Sequence, residues 1–187
     1  MRWRELDERS NRVARLLESR GAREGSTVAT ALPNSVGHVV AMYGAWKAGA
    51  CVLPLRWDLP EWERQRVLEV ARPDLVVGDW DLDGTDGAVV RSSELDASGF
   101  SAEAVPDRIP FPARAIATSG STGTPKIIVL RGAGAGVPGV PAGPHAAFLG
   151  LRDGQVQLVP APLYHANGFY SLHYGLFDAQ SIVLMER

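Results

Sequence analysis

The segment from residue 118 to residue 126, TSGSTGTPK, holds the residues best suited to binding phosphate. Its glycines allow backbone amides to approach phosphate oxygens closely, because no side chain stands between them, and its hydroxyl groups add further donors. Lys126 places a cation beside these donors, where it can neutralise phosphate charge. The apolar runs 113–118 and 127–130 predict a strand on each side. The pattern therefore predicts a phosphate-binding loop between two strands, rather than a flexible Ser/Gly-rich linker.

Two other nucleotide-binding loops do not fit the sequence. A Walker loop requires Gly-Lys followed by Ser or Thr, whereas residues 124–127 read Thr-Pro-Lys-Ile. A GxGxxG pattern at 134–139, with Asp153 at a suitable distance for a ribose contact, has the form of a dinucleotide fingerprint. That fingerprint must open a helix, and the three prolines between 138 and 144 oppose a continuous helix. We therefore expect neither kind of site.

The sequence predicts no metal cluster. The acidic stretch that begins at Asp81 fails as a calcium loop, because Asp86 stands at the sixth position, where the turn needs Gly, and Ser92 stands at the twelfth, where Glu is needed. Three histidines have no metal-ligand spacing and are expected to be structural or exposed: His38, His145 and His173.

Composition limits the class of protein. The chain has 187 residues, of which 45% are hydrophobic and 21% charged, with a formal charge of −2, so we expect a globular protein and no nucleic-acid partner. Its amino terminus is charged, unlike a signal peptide, and no apolar run reaches the roughly 18 residues of a membrane span, so a cytoplasmic location is expected by default. Cys51, the single cysteine, lies in an apolar run and is expected to be a buried hydrophobe rather than a catalytic thiol.

The elements that must position the loop alternate along the chain. Apolar periodicity and Gly or Pro stops predict helices over 6–20, 35–47 and 62–71, with short apolar strands over 26–32, 50–55 and 74–77. Such alternation predicts an α/β fold with a parallel sheet layered with helices.

The rest of the chain is less regular. Residues 78–112 mix Asp, Gly, Ser and Pro around the short apolar piece 88–90, so we expect little regular structure there and a boundary between subregions. Beyond the loop we expect a weak helix near 146–149, a strand over 156–159, a helix over 169–177 and a strand over 181–184.

The loop and three further segments resemble the superfamily of adenylate-forming enzymes, which includes acyl-CoA synthetases and nonribosomal peptide adenylation domains. The family loop usually reads YTSGTTGxPKG, and residues 117–127 keep its Ser, Thr, Gly, Pro and Lys positions but carry Ala117 and Ile127 at the edges. Segment 3–35 is similar to the family's opening helix and strand, 41–55 to its GALKAGAVYVPL segment, and 160–169, PAPLYHANGF, to its PLFHxxG motif. The chain is thus expected to be an incomplete N-terminal large domain, spanning residues 1–187, of an AMP-binding ligase.

The resemblance implies a two-step reaction. A carboxylic acid attacks the α-phosphate of ATP to give an acyl adenylate and pyrophosphate, and a thiol such as that of coenzyme A then takes the acyl group. Mg²⁺ would arrive with ATP. The residues implied to contact the phosphates are Thr118, Ser119, Gly120, Ser121, Thr122, Gly123, Thr124 and Lys126.

The resemblance also implies an acyl site around the PLFH-like motif. His165 would lie near the acyl and α-phosphate end of the pocket and, with Lys126, would be a catalytic residue, its implied role being positioning; a satisfied structural histidine is the alternative. Tyr164, Asn167, Gly168 and Phe169 would help to form the surrounding wall.

Two readings of the activity remain open. The family's downstream metal, ribose and lysine motifs do not occur in these residues, so we expect that the chain is inactive alone and that its carboxy-terminal portion comes from the same chain or a partner chain. The segments 121–129 and 158–169 look most like bacterial acyl-CoA ligases, including those related to bile-acid ligases. The alternative is a truncated or split, non-catalytic module that binds a nucleotide or an acyl group.

Overall fold

A six-stranded, mainly parallel sheet forms the centre of the molecule. The computed structural model describes residues 1–82, 88–118, 125–130, 150, 154–177 and 181–186. The sheet consists of β1 (Thr27–Ala31), β2 (Cys51–Pro54), β3 (Leu75–Gly78), β4 (Ala88–Val90), β5 (Arg114–Thr118) and β6 (Lys126–Leu130), in the order β4-β3-β1-β2-β5-β6. Neighbouring strands are parallel except β5 and β6, which pair antiparallel. The predicted α/β class is confirmed.

In the described residues, three α-helices precede the predicted phosphate loop: α1 (Trp3–Ser19), α2 (Val36–Lys47) and α3 (Glu61–Ala71). The hydroxyl of Ser35 accepts a hydrogen bond from the backbone N–H of His38 and so caps the start of α2. Gly44 of α2 lies against α1, where an added Cβ would stand 2.6 Å from Cγ1 of Val13. Glycine at this position therefore allows the two helices to pack closely.

Strands β1, β2 and β3 bury both of their faces, as a helix-covered parallel sheet requires. Alternate residues such as Val28, Val52 and Val77 pack with α1 and α2 in one apolar core. The intervening residues, such as Ala29 and Leu53, pack on the other side with Val67 and Leu68 of α3. Cys51 belongs to this second core, where burial raises the pKa of its thiol to about 11, so the predicted role as a buried hydrophobe is confirmed.

A second, smaller sheet follows in sequence. Its two strands, β7 (Val156–Val159) and β8 (Ser181–Leu184), are parallel and are joined by a connection that contains helix α4 (Ala166–Phe177). One face of this sheet packs on α4, because Gln157 and Ile182 approach Gly175 of that helix. Among the described residues, no helix has the length and apolar character needed to cross a membrane.

The structure corrects two expectations about regular structure. The segment 78–112 contains strand β4, which pairs with β3, and a short 3₁₀ helix, Ser92–Asp96. Helix α4 begins one turn earlier than predicted, because the carbonyl of His165 accepts a hydrogen bond from the N–H of Phe169. The helix predicted near 146–149 and the GxGxxG pattern lie outside the described residues, and the boundary expected within 78–112 stays a prediction.

Candidate functional site

Strands β5 and β6 bring the two ends of the predicted phosphate loop together. Thr118, the last residue of β5, pairs with Lys126, the first residue of β6, and its hydroxyl donates to the Lys126 carbonyl across 3.4 Å. The prediction that the loop joins two strands is therefore confirmed. Six residues assigned to phosphate binding lie outside the described residues, and their role stays a prediction: Ser119, Gly120, Ser121, Thr122, Gly123 and Thr124.

Asn34, just after β1, fixes the segment that leads to His165. Its side-chain Nδ2 donates to the carbonyls of Ala161 and Met185, at 3.1 and 3.0 Å, and its Oδ1 accepts from the N–H of Leu163 at 2.8 Å. The side chain is nearly buried, so little water competes with these bonds. The sequence assigned only a turn to this residue, because its partners lie far away in the chain.

A cavity of about 340 Å³ lies between this segment, the end of β5 and helix α3. Thr118, Pro125, Tyr164 and His165 line one side of it. The rings of Tyr164 and His165 lie 4.5 Å apart, tilted by 49°, and the His165 side chain is exposed. The volume is within the range of small-molecule sites. The structure thus brings the base of the predicted loop and the PLYH segment to one cavity.

Another part of the cavity wall is cationic and aromatic. Arg56 and Arg66 line it together with Trp62, whose side chain is 59% exposed. The guanidinium of Arg66 lies 5.4 Å from the centre of the Trp62 ring. The sequence alone does not single out these residues, because none of them stands in a recognisable motif. Arg66 and Trp62 lie in helix α3 and Arg56 lies in the loop after β2, where the charges of the two arginines resemble those of any solvated surface.

Arg56 is held by a local carboxylate. Its Nε and one terminal nitrogen donate to the two oxygens of Asp58, at 2.6 and 3.0 Å. This hydrogen bond lowers the pKa of the Asp58 carboxyl and raises that of Arg56. Arg66 differs from Arg56 in its neighbour: its guanidinium lies over the ring of Trp62, whereas that of Arg56 is bound by Asp58.

Four of the predicted site residues do not line the cavity. Lys126 is exposed beside Thr118, and Asn167 is exposed at the start of α4. Gly168 is buried where the helix crosses the preceding segment, since an added Cβ would stand 2.2 Å from the carbonyl oxygen of Pro162. Phe169 is also buried, so its predicted contact with substrate stays a prediction.

Phe169 belongs to an aromatic cluster behind the site. Its ring packs edge-on against Trp46 of α2, at 5.9 Å between centres, and lies 4.2 Å from the ring of His173. Burial, with Arg114 and His38 nearby, lowers the pKa of His173 to about 3. His38 is likewise buried and lies 3.0 Å from the Thr30 hydroxyl, and burial lowers its pKa to about 4. Both histidines are therefore structural and neutral at pH 7.

The described part of the chain contains no group of three His, Cys, Asp or Glu residues that could hold a metal ion. Among the residues lining the cavity, Glu63 is the acidic one.

Comparison with known proteins gives a consistent family. A family model described as AMP-binding enzyme matches residues 1–187. The chain is 35% identical over 178 residues to novobiocin biosynthesis protein H of Streptomyces niveus, covering 87% of this chain and 29% of that protein. It is also 35% identical over 139 residues to a dimodular nonribosomal peptide synthase of Bacillus subtilis (strain 168), covering 68% of this chain and 6% of that protein.

Solved structures show the same fold. An ATP-bound MatB from Rhodopseudomonas palustris superposes with a TM-score of 0.81 and 24% identity, covering 97% of this chain and 39% of that one. At that identity the similarity concerns the fold alone. The chain thus spans well under half the length of each of these three proteins.

Proposed function

Because the chain belongs to the AMP-binding enzyme family, we propose that the protein converts a carboxylic acid and ATP to an acyl adenylate and pyrophosphate. The observation that carries this proposal is the pairing of Thr118 with Lys126 at the edge of a cavity that also contains His165. The proposal concerns the whole protein, since the chain covers 6% and 29% of the two relatives named above.

The cations near the cavity support this chemistry. When a carboxylate oxygen attacks the α-phosphorus of ATP, the bond to the pyrophosphate oxygen breaks and negative charge moves onto the leaving group. Fixed donors and cations lower the barrier by stabilising that charge. Lys126 and the hydroxyl of Thr118 stand at the base of the loop, where they would contact pyrophosphate. Mg²⁺ would accompany ATP and share this task.

His165 and Tyr164 would border the acyl end of the same site. Both side chains face the cavity, and the exposed imidazole of His165 can donate a hydrogen bond to a carboxylate. In this proposal the pair orients the acid toward the α-phosphate. Positioning of this kind makes a large contribution to the rate of a two-substrate reaction.

For the second step we propose coenzyme A as the acceptor, within the acyl-CoA ligases and with the bile-acid-ligase-like group as the expected subgroup. The wall formed by Arg56, Arg66 and Trp62 offers cations and an exposed indole, which suit a phosphorylated nucleotide. A carrier-protein thiol is the competing acceptor, since one relative is a nonribosomal peptide synthase. Offering both coenzyme A and a carrier protein to the preformed acyl adenylate, and measuring which thiol receives the acyl group, would distinguish the two acceptors.

A non-catalytic binding module is the second candidate function. Such a module would bind ATP but would not exchange pyrophosphate with any acid.

The test is acid-dependent exchange of labelled pyrophosphate into ATP, measured on the full-length protein with a panel of carboxylic acids. Lys126→Ala should lower the exchange rate about 100-fold, because it removes a cation that acts on the leaving group. Lys126→Arg should recover part of the rate, and Arg23→Ala, an exposed cation remote from the cavity, should match the wild type. Exchange that is absent with every acid while ATP still binds would instead support the binding module.

A further inference from the structure

Arg114 is a buried arginine whose contacts are aromatic rather than ionic. Arg114 is 6% exposed. Its Cζ lies 3.8 Å from the centre of the Tyr170 ring and 5.2 Å from that of the Phe169 ring. In the described part of the chain no carboxylate pairs with it, and its Nε has no hydrogen-bond partner. Burial lowers the pKa of Arg114 to about 10, so the group is still charged at pH 7.

This charge costs stability. A guanidinium removed from water needs an anion or several hydrogen bonds to compensate, and two aromatic faces compensate only in part. A methionine has similar length, is uncharged and packs readily against aromatic rings. The contribution of Arg114 to folding therefore does not explain why an arginine stands here.

The position of Arg114 in the fold suggests another role. It is the first residue of β5, and Thr118, at the edge of the candidate site, is the last residue of the same strand. Its aromatic partners Phe169 and Tyr170 lie in the first turns of α4, directly after His165. The contact of Arg114 with these rings thus joins β5, which ends at Thr118, to α4, which begins directly after His165.

A neighbouring hydrogen bond strengthens the same junction. The indole N–H of Trp46 donates to the carbonyl of Ala113, the residue before Arg114, at 2.7 Å. The Trp46 ring also contacts Phe169 and His173 of α4. Arg114 and the residue that precedes β5 are therefore tied to the same helix, Ala113 through Trp46 and Arg114 through its guanidinium.

We propose that Arg114 is a positioning residue, which fixes the start of α4 on β5 and so sets the position of His165 relative to Thr118. This inference rests on the proposed adenylate-forming function. It assigns to Arg114 no contact with a substrate. The planar guanidinium suits this task, because it can stack on one ring while a second ring faces its edge.

The test compares Arg114→Met and Arg114→Lys with a matched core variant, Val13→Ala, which removes buried apolar volume between α1 and α2. In the full-length protein Arg114→Met should unfold at the same temperature as the wild type or higher. Its kcat for acid-dependent pyrophosphate exchange should nevertheless fall about 10- to 100-fold, with the KM for ATP unchanged within about twofold. Arg114→Lys should recover part of the kcat, whereas Val13→Ala should lose stability and keep its kcat.

Hydrogen exchange provides a readout that does not depend on activity. In the full-length protein, Arg114→Met should raise the hydrogen-exchange rates of the α4 amides about tenfold while those of β1 and β2 stay unchanged. Unchanged α4 exchange, an unchanged kcat, or failure of Arg114→Met to fold would each overturn the proposal. If the wild type shows no exchange of pyrophosphate with any acid, the proposed function fails, while the α4 measurement still decides the role of Arg114.

Discussion

At the scale of single residues, Asn34 shows how one side chain can hold a site together. Replacing Asn34 with alanine would leave the N–H of Leu163 and the carbonyls of Ala161 and Met185 without their partner in a nearly buried place. The bond to Leu163 is buried and the two bonds to the carbonyls are part-buried; an unsatisfied buried group costs on the order of 1 kcal/mol or more, so the free energy of unfolding should fall by about 2 kcal/mol. Urea denaturation followed by far-UV circular dichroism measures this change.

The control for Asn34 is Gln65→Ala on the exposed surface of α3, which should change stability by less than about 0.5 kcal/mol. Asn34→Asp is a sharper variant, because it keeps the oxygen that accepts from Leu163 but turns a second oxygen toward two carbonyls. It should be no more stable than Asn34→Ala. A loss below about 1 kcal/mol in both variants would show that the three bonds do not hold the segment.

At this scale, the sequence could predict the role of those residues that belong to a short local motif. Thr118 and Lys126 stand within one nine-residue pattern, so their type and spacing were sufficient to place them at the two ends of a loop. Asn34 and Arg114 depend on partners that only folding brings near; Ala161, for example, lies 127 positions after Asn34. No local pattern distinguishes such an asparagine from any other turn residue.

At the scale of elements, Gly168 fixes how α4 crosses the segment before it. An added Cβ would lie 2.2 Å from the carbonyl oxygen of Pro162 and 2.7 Å from that of Ala161, and both are backbone atoms, which cannot rotate away. Gly168→Ala should therefore push α4 from this segment, lower the free energy of unfolding by about 1–3 kcal/mol and displace Tyr164 and His165. Thermal unfolding would measure the loss of stability, and the rate of acid-dependent pyrophosphate exchange would report the displacement of Tyr164 and His165.

Gly99→Ala is the matched control for Gly168→Ala, because nothing lies within 4 Å of the Cβ that it adds. It should unfold at the wild-type temperature or slightly above, since alanine reduces the entropy of the unfolded chain. Equal unfolding temperatures for the two variants would show that α4 accommodates the methyl group without shifting. In that case Gly168 would have no part in placing the site.

The elements themselves were largely predictable, because buried strands and packed helices carry strong local patterns. The exceptions have physical reasons. Strand β4 is three residues long and its neighbours in sequence are polar, so its local pattern is too short to indicate a strand. Its hydrogen bonds to β3 stabilise it instead. The first turn of α4 reads Ala-Asn-Gly, whose weak helix propensity is outweighed by packing against the Pro162 carbonyl.

At the scale of the whole molecule, one core buries two histidines. His38 and His173 lie on the side of the sheet that is covered by α1, α2 and α4, and burial lowers their pKa values to about 4 and about 3. In the unfolded chain each would titrate near 6.5, the ordinary value for histidine. Folding therefore keeps both rings neutral over a range of pH in which the unfolded chain binds a proton at each.

The sign of the pH effect follows from this difference in bound protons. At about one pH unit above 6.5 and higher, neither state binds these protons to a significant extent and the stability is fully present. As the pH falls from about 6.5 toward 4, the unfolded state gains protons that the folded state does not, so the free energy of unfolding decreases. Each histidine contributes at most about 1.4 kcal/mol per pH unit. Because the unfolded rings are already half protonated at pH 6.5, lowering the pH from 6.5 to 5 should cost about 3 kcal/mol for the pair.

His173→Phe would test this account, since a phenyl ring fits the cluster of Trp46 and Phe169 and does not titrate. The loss of stability between pH 6.5 and pH 5 should then fall to about half that of the wild type. Among the described residues of this core, His38 would remain to titrate, held against Thr30. Urea unfolding at pH 7, 6 and 5 gives the slope of the free energy of unfolding against pH for both proteins. Equal slopes would mean that His173 is protonated in the folded protein. The rings around it would then have to leave room for water and a counter-charge.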